Sequence, residues 1–360
     1  MSRGGGKTIP ALIQVVPPGT GGVLDYLMCV KSEWAAHGVS SDVIELSKAL
    51  AGQRSLAERV LDCLNASGSG PTLPRCSVVL HFSGYGYGHR GVCFWLLDQV
   101  RALRAQYRHR LRLVVVCHEL FASGQPPWRS AFWLSHLQWR VVARLARMAD
   151  ALWTNTEQHA RSLRRMVGPA TPIQVRPVFS NVGEPEIIPA SSEREPRAIV
   201  FGSPSTRQRA FDGLQGKDLA LQRLGVVALI EVGNGGPSKG TPAHMACRHL
   251  GRLEQAELSR LLRESRYALL DYPPQYLGKS GVFAAYAAHG CVALNVSRPG
   301  PDTDGLAEGS DYLCLRAMTD PALPAMATAS PQAMAANATR WYGAHRLDRQ
   351  AAELLELAIR

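Results

Sequence analysis

No apolar run in the chain approaches the ~20 residues needed to cross a bilayer; the longest, Val282 to Ala288, falls far short. Nor does a hydrophobic segment follow the short, polar, Gly-rich stretch Met1 to Lys7, so a secretory leader is not expected. The eight cysteines include no C-x-x-C pair and sit mostly inside apolar runs. That pattern argues against a disulfide frame or zinc site and fits small buried hydrophobes in a reducing, cytoplasmic setting. No metal ligand is assigned. The sequence also lacks internal repeats, low-complexity arrays and the G-x-G-x-x-G dinucleotide fingerprint.

Acidic residues are scarce in one half of the chain only. Residues 1–180 hold 21 Lys and Arg against 10 Asp and Glu, a balance of +11, whereas the remaining 180 residues are neutral at 19 of each. Arg101, Arg104, Arg108, Arg110 and Arg112 cluster on and after one expected helix, and Arg140, Arg144 and Arg147 follow. Such a field suits an anionic partner, either a membrane surface or a phosphorylated lipid; a solvated basic face is the plainer alternative. Nucleic acid is not expected as a partner, because no recognition helix, zinc finger or aromatic sheet accompanies the charge.

What is present is a repeated alternation of strand, loop and helix, and 360 residues are enough for two domains. Ala11 to Val16 reads as a buried strand, Pro17 to Gly22 as a Gly-rich loop and Val23 to His37 as a helix. The strand Ser77 to Phe82 runs into Ser83-Gly84-Tyr85-Gly86-Tyr87-Gly88-His89-Arg90-Gly91, a flexible aromatic loop suited to stacking on a sugar or base. A third strand, Leu111 to Cys117, ends in His118-Glu119; a histidine there can carry a proton or donate a hydrogen bond. Tyr85, Gly86, His89 and Glu119 are the expected contacts to an acceptor or sugar. Thr156 is placed to cap a helix over Gln158 to Met166.

Residues 1–179 therefore form the expected first domain, 180–196 a polar linker rich in Pro, Ser and Glu, and 197–330 a second domain of the same kind. A final helix over 331–360 is expected to pack at the domain junction. The ligand loops of both domains are expected to face one cleft.

In the second domain the stretch Leu277 to Leu294 reads as a tight Gly-Lys-Ser-Gly turn, an Ala-rich helix, a Gly stop at Gly290 and a buried strand. A turn of small residues opening a helix presents backbone N–H groups and the positive end of the helix dipole, which suits an anion. Lys279 adds a full charge. An ordinary strand-loop-helix-strand unit is the competing reading.

Two Rossmann-like halves, Gly21-Gly22 after the first strand, His118-Glu119 at a strand end, Ser180-Asn181 at the junction and the Gly278-to-Gly290 loop and helix together resemble the GT-B glycosyltransferases of the family-4 type. The resemblance spans residues 11 to 295 or so. It implies an α/β GT-B fold, a nucleoside diphosphate sugar as co-substrate with no bound cofactor, and a glycan or lipid-linked acceptor held by the first domain. By the same resemblance Gly21 and Gly22 approach the donor, and His118 contacts the transferred sugar. Arg207 and the turn Lys279-Ser280-Gly281, with Val282, bind the diphosphate leaving group, where developing charge needs stabilisation.

Transfer is expected to retain anomeric configuration without a metal, in surface polysaccharide or lipopolysaccharide synthesis at the inner face of a membrane. One departure stands out: the family's paired glutamates fall on Leu277 and Ala285, and the second-domain lysine could be Lys217 or Lys239. The departure keeps two alternatives open, an inactive GT-B scaffold or binding protein, and a GT-B-like enzyme of another reaction such as an epimerase or phosphorylase.

Overall fold

A computed structural model describes residues 10–19, 21–66, 75–122, 128–242, 245–316 and 329–360. The polar N-terminus, most of the expected surface loop at 65–75 and most of the expected turn at 123–128 lie outside the described residues. The chain forms two compact units, Met1–Arg176 with Leu347–Arg360, and Pro177–Arg346.

In the first unit β1 (Ala11–Val16), β2 (Asp42–Glu45), β3 (Cys76–Phe82), β4 (Leu111–Cys117), β5 (Ala151–Thr154) and β6 (Ile173–Val175) pair in parallel, in the order β2-β1-β3-β4-β5-β6. The connecting helices are α1 (Gly22–Ala36), α2 (Lys48–Gln53), α3 (Leu56–Ala66), α4 (Gly84–Tyr87), α5 (Phe94–Tyr107), α6 (Ser130–Met148) and α7 (Glu157–Arg164). Strand alternation sorts β1 onto two faces. Ile13 and Val15 join the core with Val78, Leu80, Leu96 and Val100, while Gln14 is turned to the other face and is fully buried there. Thr156 caps α7 as expected, accepting from the His159 N–H at 3.2 Å.

The second unit contains β7 (Glu195–Phe201), α8 (Pro204–Gly213), α9 (Asp218–Arg223), β8 (Ala228–Val232), β9 (Ala246–His249), α10 (Gln255–Glu264), β10 (Ser265–Leu270), α11 (Gly281–Ala288), β11 (Val292–Asn295), β12 (Leu313–Cys314) and α12 (Pro331–Gly343). Its parallel sheet has the order β12-β11-β10-β7-β8-β9. Renumbered from β7, this is the doubly wound 3-2-1-4-5-6 arrangement of a Rossmann half.

The single helix expected over 331–360 is two. Helix α12 ends at Gly343, a poor helix former, and α13 (Leu347–Ile359) belongs to the first unit. There the Trp34 indole donates to Ala351 O at 2.8 Å, Ser77 Oγ donates to Ala358 O at 2.6 Å, and Arg176 grips Glu353 through two bonds of 2.7 and 2.9 Å. The first unit thus gets its closing helix from the far end of the chain.

Candidate active site

Ligands of open parallel sheets gather beyond the C-terminal ends of the strands, at the point where the winding reverses. In the first unit that point lies between β1 and β3. The connections leaving these two strands line a cavity of about 220 Å³, with Pro17, Gly19, Gly21, Gly22, Ser83 and Gly86 among its walls. Gly21 caps α1 at φ 140°, a conformation that L side chains rarely adopt. A Cβ at Gly21 or Gly22 would meet no atom within 4 Å, so both present bare backbone to open space. At Gly86 the reason for glycine differs: a Cβ would come within 2.7 Å of Pro17 Cγ, so the two loops touch there.

The aromatic loop expected after β3 is wound into α4 and a 3₁₀ turn over His89–Gly91, with Arg90 at φ 55°. A residue the sequence did not single out, the buried Gln138 of α6, braces it. Gln138 Nε2 donates to Arg90 O at 2.7 Å and to the Tyr85 hydroxyl at 3.3 Å, while its Oε1 accepts from the Ala122 N–H at 2.8 Å. Tyr85 and His89 are exposed, and Glu119 accepts from Ser83 Oγ at 3.1 Å.

His118 follows β4 and is half-buried. Its backbone N–H donates to Phe82 O at 3.0 Å, and its Nε2 lies 3.2 Å from His81 Nδ1. The two imidazoles stack with planes 18° apart, and the Tyr26 ring meets His118 edge-on at 5.0 Å. His81 is completely buried. Burial first, and the neighbouring His118 second, push its pKa well below the ordinary histidine value, so it is neutral. Its Nε2 lies 3.1 Å from Gln14 Oε1, and Gln14 Nε2 donates to Ser41 Oγ at 2.9 Å. Neither His81 nor Gln14 was legible as a site residue, because each sits inside an apolar strand run.

In the second unit the winding reverses between β7 and β10. Strand β7 runs through Gly202 into α8, and β10 runs through Asp271 and a 3₁₀ segment, Pro274–Lys279, into α11. A Cβ on Gly202, at φ 132°, would lie 3.9 Å from Val282 Cγ2, which puts the two helix starts side by side. Each start is capped by serine: Ser203 Oγ accepts from Thr206 N and Ser280 Oγ from Phe283 N, both at 3.2 Å. The N–H groups of Gly281 and Val282 in α11 have no acceptor within the helix itself, and in α8, whose first residue Pro204 has no N–H, the same holds for Ser205 alone. Lys279 is half-buried, with its ammonium 5.7 Å from the Tyr276 ring centre. Burial raises the pKa of Asp271, and Arg209 and Lys217 partly offset that rise; Arg209 Nε lies 3.5 Å from its carboxylate.

Arg207, expected at a diphosphate, has its guanidinium engaged by groups of its own unit. It is fully buried, with Nε donating to Glu231 at 2.8 Å, one terminal nitrogen to Gly202 O at 2.7 Å and the other to Asn234 O and Gly236 O at 2.8 and 3.2 Å. Glu231 also accepts from Ser238 Oγ and N–H at 2.5 and 3.1 Å. The cluster ties down the Gly-rich segment after β8.

Leu277 and Ala285, the positions matched to the missing glutamates, are 1% and 0% exposed and belong to the core. Lys217 donates to Val296 O at 2.6 Å, and Lys239 shares two backbone bonds with the Gln208 side chain. Among the described residues no group of His, Cys, Asp and Glu is arranged to hold a metal ion, and no helix is long and apolar enough to cross a membrane.

This is the α/β architecture of the GT-B class, two Rossmann-like halves in one chain. No family model matches the chain, and no curated protein matches it in sequence. Solved structures do match. Anabaena Alr3699/HepE in complex with UDP and glucose is similar at a TM-score of 0.58 and 13% identity, covering 96% of this chain and 99% of its own. An alpha-glucosyltransferase in complex with UDP and a 13-mer DNA containing an HMU base gives 0.57 and 11%, over 97% and 99%. The pneumococcal O-GlcNAc transferase GtfA in complex with UDP and GlcNAc gives 0.52 and 13%, over 84% of this chain and 60% of that one. Likeness at these identities establishes the fold.

Proposed function

We propose that the chain is a glycosyltransferase that takes its sugar from a nucleoside diphosphate sugar. The observation that carries this reading is the pair of serine-capped helix starts at the switch point of the second unit, with Lys279 beside one of them. The Gly281 and Val282 N–H groups of one start, the Ser205 N–H of the other and an ammonium suit a diphosphate, and they favour it most as the sugar bond breaks and charge gathers on the leaving oxygen. Three of the solved structures of this fold hold UDP, which supports the same class of donor.

In this reading Gly281, Val282 and Ser280 with Lys279 hold the diphosphate, and no metal takes part. Gly21 and Gly22 leave room for donor or sugar at the first unit's cavity, His118 contacts the transferred sugar, and Tyr85, Gly86, His89 and Glu119 border the acceptor. Arg207 is assigned to bracing the loop after β8. Transfer follows the retaining, family-4-like course, with the leaving phosphate accepting the acceptor's proton. The direct test is release of nucleoside diphosphate from a panel of UDP-, GDP-, ADP- and dTDP-sugars; no release with any acceptor tried would refute it. Lys279→Ala should weaken nucleoside diphosphate binding about tenfold or more, read by calorimetry, and an unchanged affinity would remove Lys279 from the site. His118→Ala should cost at least about tenfold in turnover, some 1.4 kcal/mol of transition-state stabilisation, with folding intact.

A second reading, a scaffold that binds nucleotide without turning it over, is favoured by the burial of Leu277 and Ala285 where the family places glutamates. Nucleotide binding with no sugar release would identify it.

The acceptor we propose is lipid-linked or a surface glycan assembled at an anionic membrane face. Trp128 and Trp133 are 84% and 66% exposed, beside the exposed Arg129, Arg140 and Arg144, and residues 129–149 contain no acid. Indole rings and arginines in that combination suit the headgroup layer of an anionic bilayer. Co-sedimentation with anionic vesicles should be strong at low salt and should fall for Trp133→Ser and at high salt; no binding at low salt would contradict the assignment.

A further inference from the structure

We propose that Gln14 and His81 are positioning residues that commit His118 to its Nε2–H tautomer, so that Nδ1 is the nitrogen that accepts a hydrogen bond from a ligand hydroxyl. The proposal rests on the reading of His118 as a site residue, but its geometry stands on the apo chain. Four polar side chains, Ser41 before β2 and one each from β1, β3 and the end of β4, form a line. It runs from Ser41 Oγ to Gln14 at 2.9 Å, from Gln14 to His81 at 3.1 Å and from His81 to His118 at 3.2 Å. Gln14 and His81 are fully buried, where an unmet donor or acceptor is costly.

The line has a direction. Gln14 gives its Nε2 to Ser41, so its oxygen is turned to His81 and can only accept. His81 must then carry its one proton on Nε2, because burial keeps the ring neutral. Its Nδ1 is left as an acceptor and must be met by a proton from His118 Nε2. A neutral His118 with its proton on Nε2 has its lone pair on Nδ1, and any further proton it takes up goes there. The amide orientation at Gln14 therefore decides, two residues away, whether His118 accepts from or donates to a hydroxyl. Were the amide reversed, every polarity in the line would reverse with it.

The test is a long-range ¹H–¹⁵N correlation spectrum of the full-length chain, without nucleotide, near neutral pH. The His118 signals are identified by their loss in His118→Gln. We expect a protonated-type Nε2 and a lone-pair-type Nδ1 for His118 in the wild-type chain. His81→Gln, which keeps an acceptor oxygen toward His118, should preserve the tautomer, and His81→Leu should abolish the preference. A His118 protonated at Nδ1 in the wild type, or an unchanged preference in folded His81→Leu, would overturn the proposal. If His81→Leu does not fold, the wild-type spectrum decides alone. A spectrum as expected, together with no sugar release from any donor, would sink the glycosyl-transfer reading and leave the tautomer assignment standing.

Discussion

Glu231→Ala should destabilise the protein by about 3–5 kcal/mol, because it leaves the Arg207 guanidinium buried with no counter-charge. Both side chains are at most 1% exposed, and the carboxylate also anchors Ser238. Burial alone would raise the Glu231 pKa from its ordinary 4.5, yet the hydrogen bonds from Ser238 and Arg207 outweigh it and hold the group below that value. A lowered folded-state pKa gives stabilisation that is complete above the unfolded value and is lost as pH falls through the folded one. The wild-type protein should therefore lose stability below pH 4.5 in a way that Glu231→Gln does not share. Chemical denaturation at pH 7 and at acid pH measures both effects. A cost under about 1 kcal/mol at pH 7 for Glu231→Ala would show that the cluster does not hold the loop.

Gly22→Leu should abolish transfer, lowering kcat/KM by at least about a hundredfold, or 2.7 kcal/mol, while leaving the fold intact. Gly22 opens α1 with no positive φ, and a Cβ there meets no atom within 4 Å, so the backbone accepts a side chain without strain. It would also remove the helix penalty of glycine, a gain of up to about 1 kcal/mol. What it fills is the cavity at the end of β1. Gly21→Ala is the informative companion, since at φ 140° the new Cβ costs stability whatever it does to activity. Full activity in Gly22→Leu would remove this cavity from the reaction.

These two sites show what was readable in the chain and what was not. The order strand, Gly-rich loop, helix at residues 11–36 was legible because loop glycines and the change of apolar period are local signals. The same holds for the turn and helix at 278–290. Strands β9 and β12 were not legible: Ala-Cys-Arg-His has no apolar alternation, and Leu313–Cys314 is two residues long. Both are recognised only by the neighbour they pair with. The resemblance puts Arg207 at the diphosphate; its buried pairing with Glu231, 24 positions away inside an apolar strand, leaves no local pattern in the chain. His81 and Gln14 were hidden the same way. A polar residue in a buried strand becomes informative only when the sheet brings its partners beside it, and the order β2-β1-β3-β4 does so here.

A nucleoside diphosphate is expected to bind at the paired helix starts of the second unit. Thermal unfolding of the full chain with UDP, GDP, ADP, dTDP and CMP tests it most directly, because a ligand at about 100 times its dissociation constant adds about 2.7 kcal/mol of stability. A clear rise is expected for one nucleoside diphosphate, largely lost in Lys279→Ala. No rise with any of them, at concentrations that saturate an ordinary nucleotide site, would contradict it.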